Sequence, residues 1–198
     1  MSKRPTSPEA EKNALDRSWH LARTALEIDV TEVEYALMRC FEAFGRWQAE
    51  CLASVSDFSA TGPENALLHV IRMNDRPKSM RDLAHMTNRE DTPNIQYSLR
   101  KLIQGGLVVR SGSGRSGVVY EVTEEGRDVT DRYAAVRAVL LVGGVERVPE
   151  LSKRMEEAAR TLELMTGIYE QAARSAATHR RRPGAHLAGR TTGTGNQT

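Results

Sequence analysis

Apolar residues recur at intervals of three and four along much of this chain, which is the spacing of helices that bury one face. The longest such pattern begins at Thr31, where Thr31 and Glu34 have the spacing of a capping box. Its apolar positions are Val33, Leu37, Cys40, Phe41, Phe44, Trp47, Cys51, Leu52 and Val55. A shorter helix is predicted before it, over residues 15–28, so residues 14–58 are predicted to contain the N-terminal helices.

The middle of the chain, residues 59–123, predicts three helices followed by a hairpin. Pro63 suits the first turn of the first helix, Ser79 is a good N-cap for the second, and Pro93 opens the third, which covers residues 93–104. Gly105 and Gly106 are expected to end it. Two β-prone segments then flank a loop of glycines and serines. This order of elements is that of a winged helix-turn-helix.

Two further helices are predicted in the C-terminal part, residues 124–177. Thr123 caps the first, which is expected to end at about residue 141 because Gly143 and Gly144 follow. Pro149 opens the second. Residues 1–13 and the basic segment 178–198 have the composition of disordered ends. The predicted fold class is therefore mainly α with a small β-hairpin wing, and the long helices would form a dimerisation region.

The third helix of the motif has one apolar and one polar face. At 100° per residue, Ile95, Leu99, Leu102 and Ile103 share the buried side. The opposite side carries Asn94, Tyr97, Arg100, Lys101 and Gln104, with Gln96 beside them. Asn and Gln side chains bond adenine edges, and Arg and Lys bond guanine or phosphate. The alternative interpretation is a helix face that is merely solvated.

The hairpin adds basic residues to this polar face. Arg110 lies in its first strand, Arg115 is at its tip, and Ser113 and Ser116 are candidate phosphate contacts. A narrow tip that carries an arginine fits a minor groove. The predicted DNA contacts are Ser79, Thr92, Asn94, Gln96, Tyr97, Arg100, Lys101, Arg110, Ser113 and Arg115.

The distribution of charge supports a polyanionic partner. The 198 residues have a net charge of only +2, but residues 72–118 contain nine basic and four acidic residues, and residues 92–119 contain no acid. A positive potential that coincides with the predicted motif attracts nucleic acid.

Several other classes of protein are not indicated. No apolar run reaches the roughly 20 residues of a membrane span, and the first residues lack a signal-peptide pattern, so a cytoplasmic protein is expected. The two cysteines, Cys40 and Cys51, lie in an apolar helical pattern and are expected to be buried thiols. No phosphate loop, zinc spacing or nucleophile elbow is present, so neither an enzyme nor a cofactor or metal site is predicted.

At the level of motifs the chain resembles the MarR family of bacterial transcriptional regulators. The segments that carry the resemblance are Met80-Arg-Asp-Leu-Ala, Tyr97-Ser-Leu-Arg-Lys-Leu-Ile-Gln-Gly-Gly-Leu-Val and Tyr120-Glu-Val-Thr-Glu-Glu-Gly-Arg. The resemblance implies a homodimer that binds a pseudo-palindromic operator and is released by a small, often aromatic, effector. The chain departs from the family in having Arg115 without the usual Asp-x-Arg pair of the wing, and in a longer segment before Thr31.

The apolar stripes outside the winged motif independently predict a dimer, because a lone chain would leave them exposed. The candidate effector site is lined by the aromatic or bulky residues Trp19, Phe41, Phe44, Trp47, Met73 and Tyr133. The alternative is that these residues only pack in the core or the dimer interface. Two alternative functions of the whole protein also remain: a winged helix that binds other proteins, and a winged helix that binds RNA.

Overall fold

The computed structural model describes residues 20–113 and 117–179. The chain divides into two compact units, one that ends at Leu140 and one that begins at Leu141. Predictions for residues 1–13, for Trp19, for Arg115 and Ser116, and for the tail beyond His179 lie outside the described residues.

The first helix among the described residues of this unit, α1, covers Ala25–Ala53. Its N-cap is Thr24, whose hydroxyl accepts a hydrogen bond from the Glu27 backbone N–H while the Glu27 carboxylate accepts one from the Thr24 N–H. The prediction that Thr31 caps this helix is wrong. Thr31 is a buried residue inside the helix, where its hydroxyl donates to the Glu27 carbonyl at 2.8 Å. Both threonines are followed three residues later by glutamate, so spacing alone did not distinguish them.

Three helices and a short strand follow. The predicted break at residues 59–63 is present, and Pro63 lies in the first turn of α2. The two helices of the predicted motif are present with Ser79 as an N-cap and with Pro93 in the first turn. The bounds are α2 Gly62–Arg72, a 3₁₀ turn Met73–Asp75, β1 Lys78–Ser79, α3 Met80–Met86 and α4 Thr92–Gln104.

The wing is part of a three-stranded antiparallel sheet with the order β1–β3–β2. Strands β2, Val108–Ser111, and β3, Val119–Val122, form the predicted hairpin. Strand β1 was not predicted, because two residues are too short to show an alternating pattern. It pairs with β3 through Lys78 opposite Tyr120. The sheet therefore ties the base of the wing to the residues that precede α3.

The core of the unit lies between α2, α3, α4 and the sheet, under the C-terminal end of α1. Helix α5, Glu124–Arg137, closes it, and Thr123 caps α5 as predicted by accepting from the Gly126 N–H. The buried residues include Leu52, Leu67, Leu68, Ile71, Leu83, Ile95, Leu99, Leu102, Leu107, Val108, Val129 and Tyr133. Apolar side chains from every layer thus meet in one cluster, which holds α4 rigidly in place.

Beyond α5 the structure corrects the predicted boundaries. A π-helical segment, Ala138–Val142, follows α5 and leads into the short helix α6, Gly143–Glu146. Gly143 and Gly144 therefore lie in helical structure and do not end a helix, since glycine costs a helix only about 1 kcal/mol. The last helix, α7, is Leu151–Thr178, two residues after Pro149. None of its residues is buried in the single chain.

The predicted fold class is confirmed, because the described residues are mainly helical with one small antiparallel sheet. One prediction about the cysteines is wrong. Cys51 is buried in the core, but Cys40 is exposed on α1. The apolar pattern placed both on one face of the helix, but the core of the chain covers this face at Cys51 and leaves it exposed at Cys40.

Candidate nucleic-acid interface

The outer face of α4 is exposed as the helical wheel predicted. Ile95, Leu99 and Leu102 are buried, and Ser98 joins them. On the opposite side Tyr97 has 58% of its surface exposed. The other exposed residues of this face are Thr92, Asn94, Gln96, Arg100 and Gln104. The face offers hydrogen-bond donors, acceptors and one guanidinium, and it carries no acid.

A compact polar cluster lies at the N-terminal end of α4. The Asp91 carboxylate receives two hydrogen bonds from the Arg89 guanidinium, both at 2.9 Å, and one from the Asn94 side-chain amide at 2.9 Å. The hydrogen bond from Arg89, followed by the one from Asn94, holds the pKa of Asp91 well below its usual value. This carboxylate is therefore ionised at neutral pH and is locally neutralised by Arg89.

Lys101 is placed differently from the prediction. Its ammonium lies 2.7 Å from the Glu64 carboxylate and 5.9 Å from the centre of the Phe58 ring. The Lys101 side chain is 33% exposed and that of Glu64 is 5% exposed. The helical wheel placed Lys101 on the outer face, but its long side chain bends back to α2. Lys101 therefore holds α4 against α2 instead of projecting outward.

Glu64 is the buried partner that sequence reasoning missed. Its carboxylate also accepts the Thr61 backbone N–H at 2.8 Å. Burial raises the pKa of Glu64, but the hydrogen bonds from Lys101 and Thr61 outweigh burial, so the pKa is lower than usual. The spacing of Thr61 and Glu64 is that of a capping box, which was the available signal for this residue.

Ser79 supports the motif from within its own helix. Its hydroxyl donates to the Asp82 carboxylate at 2.7 Å and accepts the Asp82 backbone N–H at 3.2 Å. The Asp82 carboxylate also accepts the Ser79 N–H. This capping box satisfies the N-terminal donors of α3.

The corner before α3 is fixed by a buried lysine. The Lys78 ammonium donates to the backbone carbonyl groups of Ile71, at 3.0 Å, and Arg76, at 2.9 Å, and also to that of Met73. Lys78 is 2% exposed. Burial lowers its pKa. Lys78 therefore acts as a cap for the C-terminal end of α2. The sequence did not indicate this role, because nothing around Lys78 distinguishes it from a surface lysine.

The wing carries Arg110 in β2, where the backbone pairs with Tyr120. Arg110 and Ser113 are exposed, and Arg115 lies outside the described residues. Gly112 has a φ of +80°, and a Cβ atom built on it would lie 2.2 Å from the Gly117 carbonyl oxygen. Glycine is therefore required where the two strands of the wing diverge.

The predicted effector residues that the structure describes differ in their surroundings. Phe41 and Phe44 are exposed on α1 and Met73 is exposed after α2, whereas Trp47 packs against the core. Tyr133 is buried, with its ring 4.4 Å from that of His69. Burial lowers the pKa of His69, and Arg137 adds to this effect.

A cavity of about 540 Å³ lies elsewhere in the first unit. It is bounded by the residues after α1, the C-terminal end of α4 and one side of α5. Phe58, Gly105 and Arg132 are among its lining residues, and none of the described residues predicted to bind an effector lines it.

Among the described residues, no helix has the length and apolar character of a membrane span. In the same ranges no three His, Cys, Asp or Glu side chains are grouped in a way that suits a metal ion.

Comparisons with known proteins agree with the geometry. A family model described as a winged helix DNA-binding domain matches residues 61–126. No curated protein matches the chain by sequence. Among solved structures, MarR of Staphylococcus aureus in complex with salicylate and kanamycin has 14% identity and a TM-score of 0.59, with 74% of this chain and 95% of that one covered.

Two further structures are similar. The transcriptional repressor CouR of Rhodococcus jostii, bound to a 23-mer DNA duplex, has 20% identity and a TM-score of 0.57, and the match covers 69% of this chain and 95% of CouR. A MarR family transcriptional regulator from Streptomyces coelicolor has 13% identity and a TM-score of 0.59, with coverages of 71% and 97%.

The chain thus contains a winged helix DNA-binding domain over residues 61–126. The chain is similar in fold to solved MarR-family transcriptional regulators, so the resemblance found in the sequence is confirmed at the level of the fold.

Proposed function

We propose that this protein is a sequence-specific transcriptional regulator that binds a pseudo-palindromic operator as a homodimer. The observation that carries the proposal is the exposed outer face of α4, which is polar and lies inside the matched domain together with the wing; its nearest acid, the N-cap residue Asp91, is paired with Arg89. A helix of this kind fits the major groove of B-DNA. The wing, with Arg110 and Arg115, would enter the neighbouring minor groove.

Unpaired cations on this surface supply the attraction to phosphate. Within the described residues, Arg100 and Arg110 are exposed and form no ion pair. CouR, which shares the fold, is bound to a DNA duplex in its structure. The contacts we propose to bases are those of Thr92, Asn94, Gln96 and Tyr97, and those to phosphate are Arg100, Arg110 and Ser113. Ser79 was predicted as a further contact, but its hydroxyl and N–H both donate to Asp82, so we propose that it supports the motif by capping α3.

Pairing of two chains would cover apolar surface that one chain leaves exposed. On α1, Leu37 and Phe41 are exposed, and on α7, Leu162 and Ile168 are exposed. Burying such surface is favourable by about 25 cal/mol per Å². We therefore propose that residues 14–58 and 124–177 form the dimerisation region, which would hold two copies of α4 about one DNA turn apart.

We also propose control by a small aromatic effector. MarR of Staphylococcus aureus is in complex with salicylate, and CouR with p-coumaroyl-CoA. The cavity of about 540 Å³ beside the end of α4 lies in the usual size range of ligand sites, about 300–1,000 Å³. The aromatic residues predicted to bind an effector, such as Phe41 and Trp47, would then serve the dimer interface and the core. Since the proteins that share the fold are transcriptional regulators, we propose no catalytic activity.

The test is the salt dependence of duplex binding. Operator fragments are selected from a random duplex pool, and the affinity is measured at several salt concentrations. The affinity should fall steeply with salt, and Arg100→Gln should reduce the slope of log K against log salt by about 0.9 for each phosphate that the variant no longer neutralises. Arg154→Gln, on the exposed surface of α7, is the charge-matched control; light scattering first establishes that this variant has the oligomeric state of the wild type, and its slope should then be unchanged.

A protein that binds no duplex, or that binds with an affinity independent of salt, would contradict the proposal. That result would favour a winged helix that binds proteins. Stronger binding to structured RNA than to duplex DNA in a competition assay would favour an RNA-binding module.

A further inference from the structure

The Asp91 carboxylate at the start of α4 does not perform the usual task of its position. Asp91 is the N-cap residue, but its side chain accepts no hydrogen bond from the helix backbone. It is bound instead by the Arg89 guanidinium and by Asn94 Nδ2, all at 2.9 Å. The cluster therefore acts on the Asn94 side chain and not on the helix terminus.

An ionised carboxylate accepts hydrogen bonds and donates none. The Asn94 amide can therefore face Asp91 only through its NH₂ group, and its carbonyl oxygen, Oδ1, must point away. Without such a partner, an exposed asparagine exchanges the two ends of its amide by rotating about χ2, which is a broad, roughly two-fold torsion. Asp91 thus selects one of the two amide orientations before any ligand arrives.

The backbone beneath this amide is also fixed. The Asn94 N–H donates to the Asp91 carbonyl at 2.9 Å, and the Asn94 carbonyl accepts the hydroxyl of Ser98, a buried residue, at 3.0 Å. Asn94 is exposed in the first turn of α4, which is the part of a recognition helix that approaches base edges. Arg89 neutralises the carboxylate, so Asp91 does not repel the phosphates that flank such a site.

We infer that the Arg89–Asp91–Asn94 cluster orients Asn94 to recognise one adenine in the major groove of each operator half-site. This inference rests on the proposed function and adds which base the protein recognises. Adenine offers the N6 amino group as a donor to Oδ1 and N7 as an acceptor for the second Nδ2–H. Guanine and thymine present only acceptors at these positions, and cytosine presents only a donor. Asn94 is the base-reading residue, and Asp91 is a positioning residue.

The experiment compares binding-site selection from a random duplex pool for the wild type and three variants. Asn94→Ala should abolish the preference for adenine at one position in each half-site. Asp91→Asn should weaken the same preference, because an amide at residue 91 both donates and accepts and no longer selects one orientation of Asn94. Glu90→Gln removes the same charge from the neighbouring exposed residue and should leave the preference unchanged.

A modified base tests the contact without altering the protein. Replacing that adenine by 7-deazaadenine removes the N7 acceptor and leaves N6 in place. A complete bidentate base contact corresponds to about 5- to 150-fold in affinity. Since only one of its two hydrogen bonds is removed, the wild type should lose affinity toward the lower end of this range per half-site. The Asn94→Ala variant should bind both duplexes equally. Circular dichroism establishes that each variant is folded.

The possible results separate the inference from the proposed function. If the wild type selects a defined operator and Asn94→Ala selects the same bases at every position, the inference is wrong and the proposed function stands. If Asp91→Asn and Glu90→Gln change the preference for adenine equally, Asp91 acts only through its charge, and its positioning role is overturned. If no duplex is selected by the wild type, both proposals fail.

Discussion

The ion pair between Glu64 and Lys101 predicts an asymmetric response to the loss of either partner. Lys101→Met leaves the Glu64 carboxylate, 5% exposed, with hydrogen bonds from Thr61 but without its cationic partner. Glu64→Gln leaves the Lys101 ammonium, whose side chain is 33% exposed and reaches water. The buried charge is on the glutamate, so removing the lysine is the more damaging change.

The magnitudes follow from burial. Leaving one member of a fully buried pair uncompensated costs about 3–5 kcal/mol, and the partial exposure of Lys101 reduces this to about 2–4 kcal/mol for Lys101→Met. Glu64→Gln retains an acceptor for Thr61 and should cost about 1 kcal/mol, because a solvated ammonium needs no buried partner. In the double variant the unpaired buried charge is gone, so most of the loss caused by Lys101→Met should be recovered.

Urea unfolding followed by circular dichroism measures these differences, and its pH dependence tests their cause. The pKa of Glu64 is lowered in the folded protein, so its contribution to stability is present above the unfolded pKa, about 4.3, and is lost as the pH falls through the folded pKa. The penalty of Lys101→Met should therefore be largest near pH 7 and shrink as the pH falls, first through the pKa of Glu64 in the variant, which lacks the lowering effect of Lys101, and then through the lowered pKa of Glu64 in the wild type.

The reasoning would be refuted by equal stabilities of Lys101→Met and the wild type at pH 7. It would also be refuted by a penalty that is independent of pH, or by a double variant no more stable than Lys101→Met alone. Any of these results would mean that Glu64 is solvated and that Lys101 is available to phosphate, as the helical wheel predicted.

Three further predictions concern the rest of the chain. Lys78→Met should lower the free energy of unfolding in urea by about 2–4 kcal/mol, because the carbonyl groups around its ammonium lose their donor; an unchanged value would contradict the buried contacts. Gly126→Ala places a Cβ atom 2.1 Å from the Leu107 carbonyl oxygen and should cost about 2 kcal/mol or more, whereas Gly144→Ala, with nothing within 4 Å, should be neutral or stabilising in the same assay. Phe41→Asp places a charge on a side chain that is 64% exposed in one chain and should shift the mass in light scattering from dimer to monomer; a dimer that tolerates it would place the interface elsewhere.

The winged motif was predictable from sequence because its signals are local. Ser79, Pro93 and Thr123 mark helix starts through chemistry that acts within three or four residues. The buried face of α4 followed from the helical period, and the structure places Ile95 and Leu99 accordingly. Such features depend little on the rest of the chain.

The features that sequence missed depend on contacts between distant segments. Lys101 meets Glu64 across 37 positions of sequence, and neither residue alone indicates the other. Lys78 looks like a surface lysine until the carbonyl groups at the end of α2 are in place around it. The exposure of Cys40 could not be predicted either, because an apolar stripe on a helix does not indicate whether it packs against the same chain or against a second chain.

The strand order of the sheet also affects the tendency of the protein to aggregate when no nucleic acid is bound. Central strand β3 is paired on both sides, so the free edges of the sheet are β1, with two residues, and β2, which carries the exposed Arg110. A short edge and a charged edge both discourage a foreign strand from extending a sheet. The arginine that suits a nucleic acid groove therefore also protects the protein against aggregation while that groove is absent.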